Sequence, residues 1–173
     1  MLSIKNLLFL AVAATGSVIK RDAAQVKQDL QTINSDTIAV SNAVNNYNGG
    51  LANALPIVTA QQQLSKDLKT GTTNANNAGP VNDADANDIL GYVKSTLLPS
   101  TEKALADLVA KKATFASDGL TSTVHDSLVS LKQDTGNYGA ALKNGAPDNK
   151  KAEADGLNNQ IATDFDNAIA QFS

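Results

Sequence analysis

Apolar residues recur at steps of three and four along most of the chain from Ala23 onward. One run is Val26, Leu30, Ile33, Thr37, Val40, Val44, Tyr47 and Leu51, and another is Val124, Leu128, Leu131, Thr135, Tyr138 and Leu142. Because an α-helix turns once in about 3.6 residues, each run forms one stripe along one helix. No segment alternates apolar and polar residues over a useful length, as a half-buried strand would. The pattern therefore predicts an all-α protein.

Turn signals divide this pattern into five or six amphipathic helices. The first helix is predicted from about Asp22 to Tyr47, the third from about Asp83 to Leu98, and the fifth from about Leu120 to Asn144. The second carries Leu51, Leu55, Val58, Leu64 and Leu68, and the fourth carries Leu105, Leu108, Val109 and Phe115 and closes near Ser117 to Gly119. After a restart at Pro147-Asp148, the last helix carries Leu157, Ile161, Phe165, Ile169 and Phe172. The stretch from Thr70 to Pro80 lacks apolar periodicity and is predicted to be a loop. Pro99 is predicted to kink or end the third helix. Long helices joined by short loops favour an antiparallel bundle.

The first 21 residues are typical of a secretion leader. Lys5 supplies a positive charge, the stretch from Leu7 to Ala14 is an apolar core too short to span a bilayer, and Lys20-Arg21 resembles a dibasic processing site. The alternative is that Lys20-Arg21 is a chance pair of basic residues. We predict a signal peptide with a short propeptide over residues 1–21, a single domain over residues 22–173, and secretion of the mature protein.

Composition narrows the range of partners. Without Lys5, Lys20 and Arg21, the basic count falls from 14 to 11 against 17 acidic residues, so the mature chain carries a net charge of −6. Neither nucleic acid nor an anionic membrane surface is an expected partner of such a chain. We expect neither a transmembrane helix nor a C-terminal anchor signal, because the sequence shows no second long hydrophobic segment. The chain has no cysteine, so its stability must come from helix packing.

Two groups of residues invite a chemical interpretation, and in each case a structural one is favoured. The acidic run from Asn82 to Asp88 begins like a calcium loop, but Asp88 and Lys94 occupy the positions of the required glycine and glutamate. Acidic residues at a helix N-terminus also satisfy free amides there. His125 is the only histidine, and no Gly-x-Ser-x-Gly motif accompanies it. We predict no metal, no cofactor and no enzymatic activity.

The helical stripes contain many alanines and few large aromatic residues. Small residues either let helices approach closely or leave a void between helices that larger residues hold apart, and an apolar void would accept an acyl chain. Tyr47 and Tyr138 each add a hydroxyl group to an apolar stripe. Either these residues lie at the edge of the core with their hydroxyls in water, or one hydroxyl hydrogen-bonds a lipid carboxylate. The candidate ligand-binding residues are Ile33, Val40, Val44, Leu55, Val58, Leu105, Leu108, Leu128, Leu131, Tyr138, Leu142, Ile161 and Phe165.

Several local sequences together resemble a fungal secreted family. They begin at Asp22 (DAAQVKQDL), Asp36 (DTIAV), Leu97 (LLPSTEKAL), Lys111 (KKATF) and Asp166 (DNAIA). The chain is similar over the whole mature region to the hydrophobic surface binding protein A family, also called the cell-wall galactomannoprotein family. The resemblance implies an all-α bundle, secretion to the medium or cell wall, and either adsorption to hydrophobic surfaces, with recruitment of secreted hydrolases, or binding of fatty acids inside the bundle.

The sequence therefore predicts a non-enzymatic secreted protein that binds apolar ligands, with a fatty acid between the helices as the leading hypothesis. One alternative is adsorption, in which the bundle spreads its apolar stripes on a hydrophobic surface. Another is a structural cell-wall mannoprotein with O-linked sugar on Thr70, Thr72, Thr73 or the segment from Ser117 to Thr123. The weakest alternative is an esterase that depends on His125.

Overall fold

The computed structural model describes residues 18–173, with side chains from Ala23 onward. Residues 1–17 of the predicted leader lie outside the described residues, and the domain start at Asp22 stays a prediction. The helices are α1 (Val18–Asn46), α2 (Leu55–Ala78), α3 (Asp83–Tyr92), α4 (Leu98–Ala110), α5 (Lys112–Ser117), α6 (Thr121–Gly145) and α7 (Asp148–Gln171). A 3₁₀ turn (Leu51–Ala54) precedes α2, and a π-helical turn (Val93–Leu97) joins α3 to α4. The all-α prediction is confirmed.

The long helices close into a ring. Over the described residues, α1 packs against α2, α2 against α6, α6 against α7, α7 against α4, and α4 against α1. The pairs Asp29–Asn74 and Asp36–Asp67 show that α1 and α2 run antiparallel. The pairs Lys132–Asp166 and Lys143–Asp155 show the same for α6 and α7. Because the ring has five members, its centre must be filled by side chains projecting from every helix. The core, and any space left in it, therefore lies along the axis of the ring.

The helix α3, the π-helical turn and α4 follow one another without a break, so the chain stays helical at Pro99. The amide of Leu98 donates to the carbonyl of Val93, five residues earlier, so the backbone takes one wider turn just before the proline. Pro99 then lies in the first turn of α4, where its missing amide donor costs little. The predicted kink or break at Pro99 is thus replaced by a π-helical turn.

The predicted loop from Thr70 to Pro80 is wrong, because α2 continues to Ala78. Its buried face is Leu64, Leu68, Gly71 and Ala75, a stripe at steps of four, three and four that small residues complete. The hydroxyls of Thr70, Thr72 and Thr73 each donate to the backbone carbonyl four residues earlier. The sequence does not reveal this part of the helix, because glycine and alanine contribute almost nothing to a hydrophobic periodicity.

The N-terminal part of α2 corrects a second prediction. Leu55 and Val58 were expected to line a ligand site, but they are 65% and 40% exposed, and Leu51 is 67% exposed. The step of six from Val58 to Leu64 breaks the helical period. The side chains that pack against the core are instead Ile57 and Ala60, which are in phase with Leu64. Leu55 and Val58 consequently lie on the outer surface.

Candidate functional site

An apolar cavity of about 50 Å³ lies on the axis of the ring, and we call it the interior cavity. Its wall is formed by residues of α1, α2, the π-helical turn with α4, α6 and α7. The lining residues are Ile33, Thr37, Val40, Leu64, Leu68, Leu97, Thr101, Ala104, Leu105, Leu108, Leu128, Leu131, Thr135, Tyr138, Ile161 and Phe165. None of them is charged, and all except Thr135 are buried. A cavity with such a wall favours an apolar ligand over water.

The structure brings most of the predicted ligand-binding residues together at this cavity. Those that line it are Ile33, Val40, Leu105, Leu108, Leu128, Leu131, Tyr138, Ile161 and Phe165. Val44 is fully buried but lies beyond the cavity wall. Leu142 lines a neighbouring cavity instead. Leu55 and Val58 lie outside, for the reason given above.

Sequence reasoning did not include several lining residues, chiefly on α2 and α4. Leu64 and Leu68 stand four residues apart and carried a usable signal. Leu97, Thr101 and Ala104 form one stripe at steps of four and three, but the stripe crosses Pro99, which had been interpreted as a break. The π-helical turn keeps the chain helical across this point, and only the structure reveals it.

The hydroxyl of Tyr138 is the one buried side-chain polar group of the wall residues that lacks a hydrogen-bond partner within the described part of the chain. The hydroxyls of Thr37 and Thr101 already donate to the carbonyls of Ile33 and Leu97, at 2.8 and 2.9 Å. Burial, reinforced by the negative charge of Asp29, raises the pKa of Tyr138, so its phenol stays protonated. It is therefore a hydrogen-bond donor without an acceptor among the described residues.

Gly71 leaves the space that the Tyr138 ring occupies. A Cβ atom at position 71 would lie 3.0 Å from Cε2 of Tyr138 and 3.3 Å from Cδ1 of Ile33. A glycine in the interior of a helix lowers its stability by about 1 kcal/mol relative to alanine. Here the missing side chain leaves room for the ring of Tyr138 to pack against α2. The position of Tyr138 thus depends on a residue that the sequence analysis placed in a loop.

A second cavity, of about 110 Å³, lies between the π-helical turn, α6 and α7, and we call it the rim cavity. It shares with the interior cavity the side chains Leu97, Thr135, Tyr138, Ile161 and Phe165. Its other lining residues are Val93, Lys132, Gly136, Gly139, Leu142, Asn158 and Ala162. Only one layer of side chains therefore separates the two cavities.

The other candidate chemical groups have structural roles in the described residues. The side chain of Asn82 caps α3 by accepting from the amide of Asp85. Lys27 of α1 pairs with Asp85 and Asp88 at 2.8 and 2.9 Å, so the acidic run ties α3 to α1. His125 is half-buried, with Nδ1 at 3.1 Å from Asp126. No cluster of three potential metal ligands occurs among residues 23–173.

Tyr47 does not face either cavity. It is 1% exposed, stacks on Phe115, and donates its hydroxyl proton to Asp118. Burial and the adjacent Asp118 carboxylate raise the pKa of Tyr47 to about 12. The tyrosine hydroxyl considered for lipid binding is thus already satisfied at this position, whereas that of Tyr138 is not.

An open apolar groove runs along the outside of α1 and α2. It is lined by Ala39, Ala52, Leu55, Pro56, Ala60 and a few polar residues, Asp36 among them. Leu51, Leu55 and Val58 follow each other at steps of four and three, so their exposed side chains lie on one face beside the groove. Exposed apolar groups gathered in this way are typical of an interaction surface.

A carboxyl pair crosses the seam between α1 and α2 near this groove. The Oδ2 atom of Asp36 is buried and receives no hydrogen bond from the described residues, while Asp67 accepts from Gln63 at 2.7 Å. Burial first, and then the neighbouring Asp67, raise the pKa of Asp36 from 3.8 to about 6. A proton shared by the two carboxyl groups would satisfy the unpartnered oxygen.

The Asp36 carboxyl should make the stability of the protein depend on pH. Its pKa is raised in the folded state, so its stabilising contribution is complete below about pH 4 and is lost as the pH rises through about 6. Asp36→Asn cannot ionise and should flatten this decline, which thermal unfolding between pH 4 and pH 8 would measure. Asp148→Asn is the control, because Lys151 lowers the pKa of Asp148, so its contribution is lost as the pH falls. An unchanged slope in Asp36→Asn would contradict the prediction.

Comparisons with known proteins point to one family. The model of the family described as hydrophobic surface binding protein A matches residues 23–144. The chain is 25% identical to cell wall mannoprotein 1 of Aspergillus flavus over 146 residues, which are 84% of this chain and 52% of that protein. It is 28% identical to cell wall mannoprotein 1 of Aspergillus fumigatus over 115 residues, which are 66% of this chain and 39% of that protein. The chain thus spans about half the length of these relatives, or less.

Solved structures share the fold. The crystal structure of Afmp4p in complex with palmitic acid has a TM-score of 0.85 and 30% sequence identity, over 87% of this chain and 99% of that one. Ligand binding domain 1 of the Penicillium marneffei MP1 protein, complexed with arachidonic acids, has a TM-score of 0.83 and 20% identity, over 88% and 99% of the two chains. At the latter identity the likeness shows the fold alone.

Proposed function

Because the chain belongs to the hydrophobic surface binding protein A family, we propose that it is a non-enzymatic protein that holds a fatty acid in the interior cavity between its helices. The observation that carries the proposal is a cavity whose wall comes from all five members of the helical ring and contains no charged residue. The 30% identity to Afmp4p, whose structure contains palmitic acid, supports the same ligand class. The predicted ligand-binding residues on the cavity wall are proposed to contact the acyl chain.

The cavity must expand to hold an acyl chain. At about 50 Å³ it is well below the roughly 300–1,000 Å³ of ordinary ligand pockets. Each methylene group moved from water into the bundle gains about 0.8 kcal/mol, which can offset the cost of moving helices apart. The threonines and the alanine in the wall lower the cost of this expansion, because helices that meet through small side chains lose few contacts when they separate.

We further propose that the mature domain of residues 22–173 acts outside the cell or in the cell wall. The support is the similarity to cell wall mannoproteins of two Aspergillus species. None of the helices in the described part of the chain has the length and hydropathy that a membrane span requires. Secreted hydrolases as partners remain a hypothesis that derives from the family resemblance.

Native mass spectrometry of residues 22–173, with and without palmitate, tests the proposed function. We expect a discrete adduct of one or two palmitate molecules that saturates with concentration. Ligand that binds only the folded state also raises the unfolding temperature, by an amount that grows with the ratio of ligand concentration to Kd. A series of weak, unsaturable adducts with no thermal shift would refute the interior site.

Adsorption to hydrophobic surfaces is the second candidate function, and the exposed face of Leu51, Leu55 and Val58 favours it. Leu51 and Leu55 are each about two-thirds exposed, so both can be buried against a surface without opening the bundle. The double variant Leu51→Ser/Leu55→Ser should bind octyl-coated beads at least tenfold more weakly, because each buried leucine contributes about 1–2 kcal/mol. Depletion of protein from solution by the beads measures this.

The control for adsorption is Val129→Ser, which removes an apolar residue that is 44% exposed on α6. It should leave adsorption nearly unchanged, and all three substitutions should leave palmitate binding intact, since none of these positions lines the interior cavity. Equal adsorption by the double variant and the wild type would exclude this face as the contact surface.

A further inference from the structure

The two cavities differ in the burial of the residues that line them. The residues they share are buried, apart from the half-buried Thr135. The rim cavity extends from this shared layer through the half-buried Lys132 and Asn158 to the exposed Gly136. The more exposed lining residues of the rim cavity thus lie on α6 and α7.

Lys132 is the only charged residue among the described residues that line either cavity. Its ammonium group lies 2.5 Å from a carboxylate oxygen of Asp166, with 34% of the Lys132 side chain and 60% of the Asp166 side chain exposed. Exposed ion pairs of this kind contribute little net stability. A carboxylate arriving at the mouth of the rim cavity can therefore take the place of Asp166 at small cost.

Two glycines of α6 determine the shape of this mouth. Lys132, Gly136 and Gly139 follow at steps of four and three, so they lie on one face of the helix. A Cβ atom at Gly139 would collide with the amide of Asn158 at 2.3 Å, whereas one at Gly136 would meet nothing within 4 Å. The glycine at 139 lets Asn158 of α7 pack at the mouth, and the glycine at 136 leaves the opening clear.

From this arrangement we propose that the rim cavity is the entrance to the interior cavity and that Lys132 holds the carboxylate of the bound lipid at its mouth. The inference rests on the proposed function and adds the direction of the ligand. The acyl chain passes Thr135 and displaces the shared side chains of Leu97, Tyr138 and Phe165, which merges the two cavities into one tunnel. The carboxylate stays at the surface, where it remains partly hydrated.

Lys132→Met tests the role of the ammonium group. Its affinity for palmitate should fall on the order of tenfold, because a charge-assisted hydrogen bond is lost. Its affinity for hexadecanol, which has no carboxylate, should stay the same. Isothermal titration calorimetry at low salt measures both ligands.

The matched control is Lys143→Met. Lys143 lies on the same helix and forms an equivalent ion pair with Asp155 of α7 at 2.7 Å, with 36% of its side chain exposed, but it lines neither cavity. Loss of an α6–α7 ion pair alone would affect both lysine variants equally. A selective loss of palmitate binding in Lys132→Met supports the proposal, and equal Kd values in the two variants would overturn it.

Gly136→Phe tests the entrance itself. A phenylalanine there has open space for its Cβ atom and covers the mouth, so palmitate uptake in stopped-flow fluorescence should slow at least tenfold relative to wild type. Gly156→Phe is the control, since Gly156 is also an exposed helical glycine with nothing near its Cβ position, and it lines neither cavity. Equal uptake rates in the two phenylalanine variants would place the entrance elsewhere.

The wild-type protein separates failure of this inference from failure of the proposed function. If the wild type shows no saturable palmitate binding, both the proposed function and the proposed entrance are refuted. If the wild type binds and the Lys132 and Gly136 variants match their controls, only the entrance and the orientation of the ligand are refuted.

Discussion

Replacing Ala104 with leucine is expected to abolish saturable palmitate binding while the protein stays folded. Ala104 is 6% exposed and lies on α4 at the wall of the interior cavity, where three additional carbon atoms project into space that the ligand needs. Overpacking a core usually costs about 1–3 kcal/mol, and the existing void reduces that cost here. Native mass spectrometry with palmitate, together with thermal unfolding of the free protein, measures both consequences.

The control for this substitution is Ala106→Leu, two residues further along α4. Ala106 is exposed and lines only an outer groove, so the same added carbon atoms leave the interior cavity unchanged. We expect wild-type palmitate binding from this variant. Palmitate binding by Ala104→Leu at wild-type affinity would mean that the acyl chain lies elsewhere than on the axis of the ring.

Phe115→Ala is expected to give the largest loss of stability, about 3–5 kcal/mol of the free energy of unfolding. Phe115 is 1% exposed and lies between two other rings at one end of the bundle. It stacks on Tyr47 with centroids 4.8 Å apart and meets Phe172 edge-on at 6.3 Å. Truncation leaves a cavity that these rings cannot fill, because Asp118 holds the hydroxyl of Tyr47.

Chemical denaturation monitored by circular dichroism measures this loss. The unfolding temperature should fall by roughly 2–4 °C for each kcal/mol lost in a domain of this size. Palmitate binding well below that temperature should persist, since Phe115 lines neither the interior nor the rim cavity. Phe115→Leu should cost distinctly less, and a loss below about 1 kcal/mol in Phe115→Ala would contradict the role assigned to this cluster.

These two predictions separate stability from ligand binding along the length of the bundle. The aromatic cluster joins α1, α5 and the C-terminal end of α7, and its packing is closed. The interior cavity lies further along the same axis, where the wall is built from leucines, isoleucines and threonines. A protein arranged in this way can open its middle for a ligand while one end holds the helices together.

The sequence by itself determined the helical class and most of the cavity wall. Residues such as Ile33, Leu128 and Ile161 could be predicted because large apolar side chains at steps of three and four must face the axis of a bundle. The ends of α1, α5 and α6 were also predictable, since glycine residues mark them. Gly119, with a φ of +70°, is one such end.

The tertiary structure alone decided what the pattern could not encode. The second half of α2 is helical because Gly71 and Ala75 fit against neighbouring helices, and a small residue signals that fit only when its neighbour is known. Leu55 and Val58 have the composition of core residues, but the phase of the helix turns them outward. The interior and rim cavities depend on which five helices form the ring and in what order, and that order follows from packing between distant segments, which a local period does not specify.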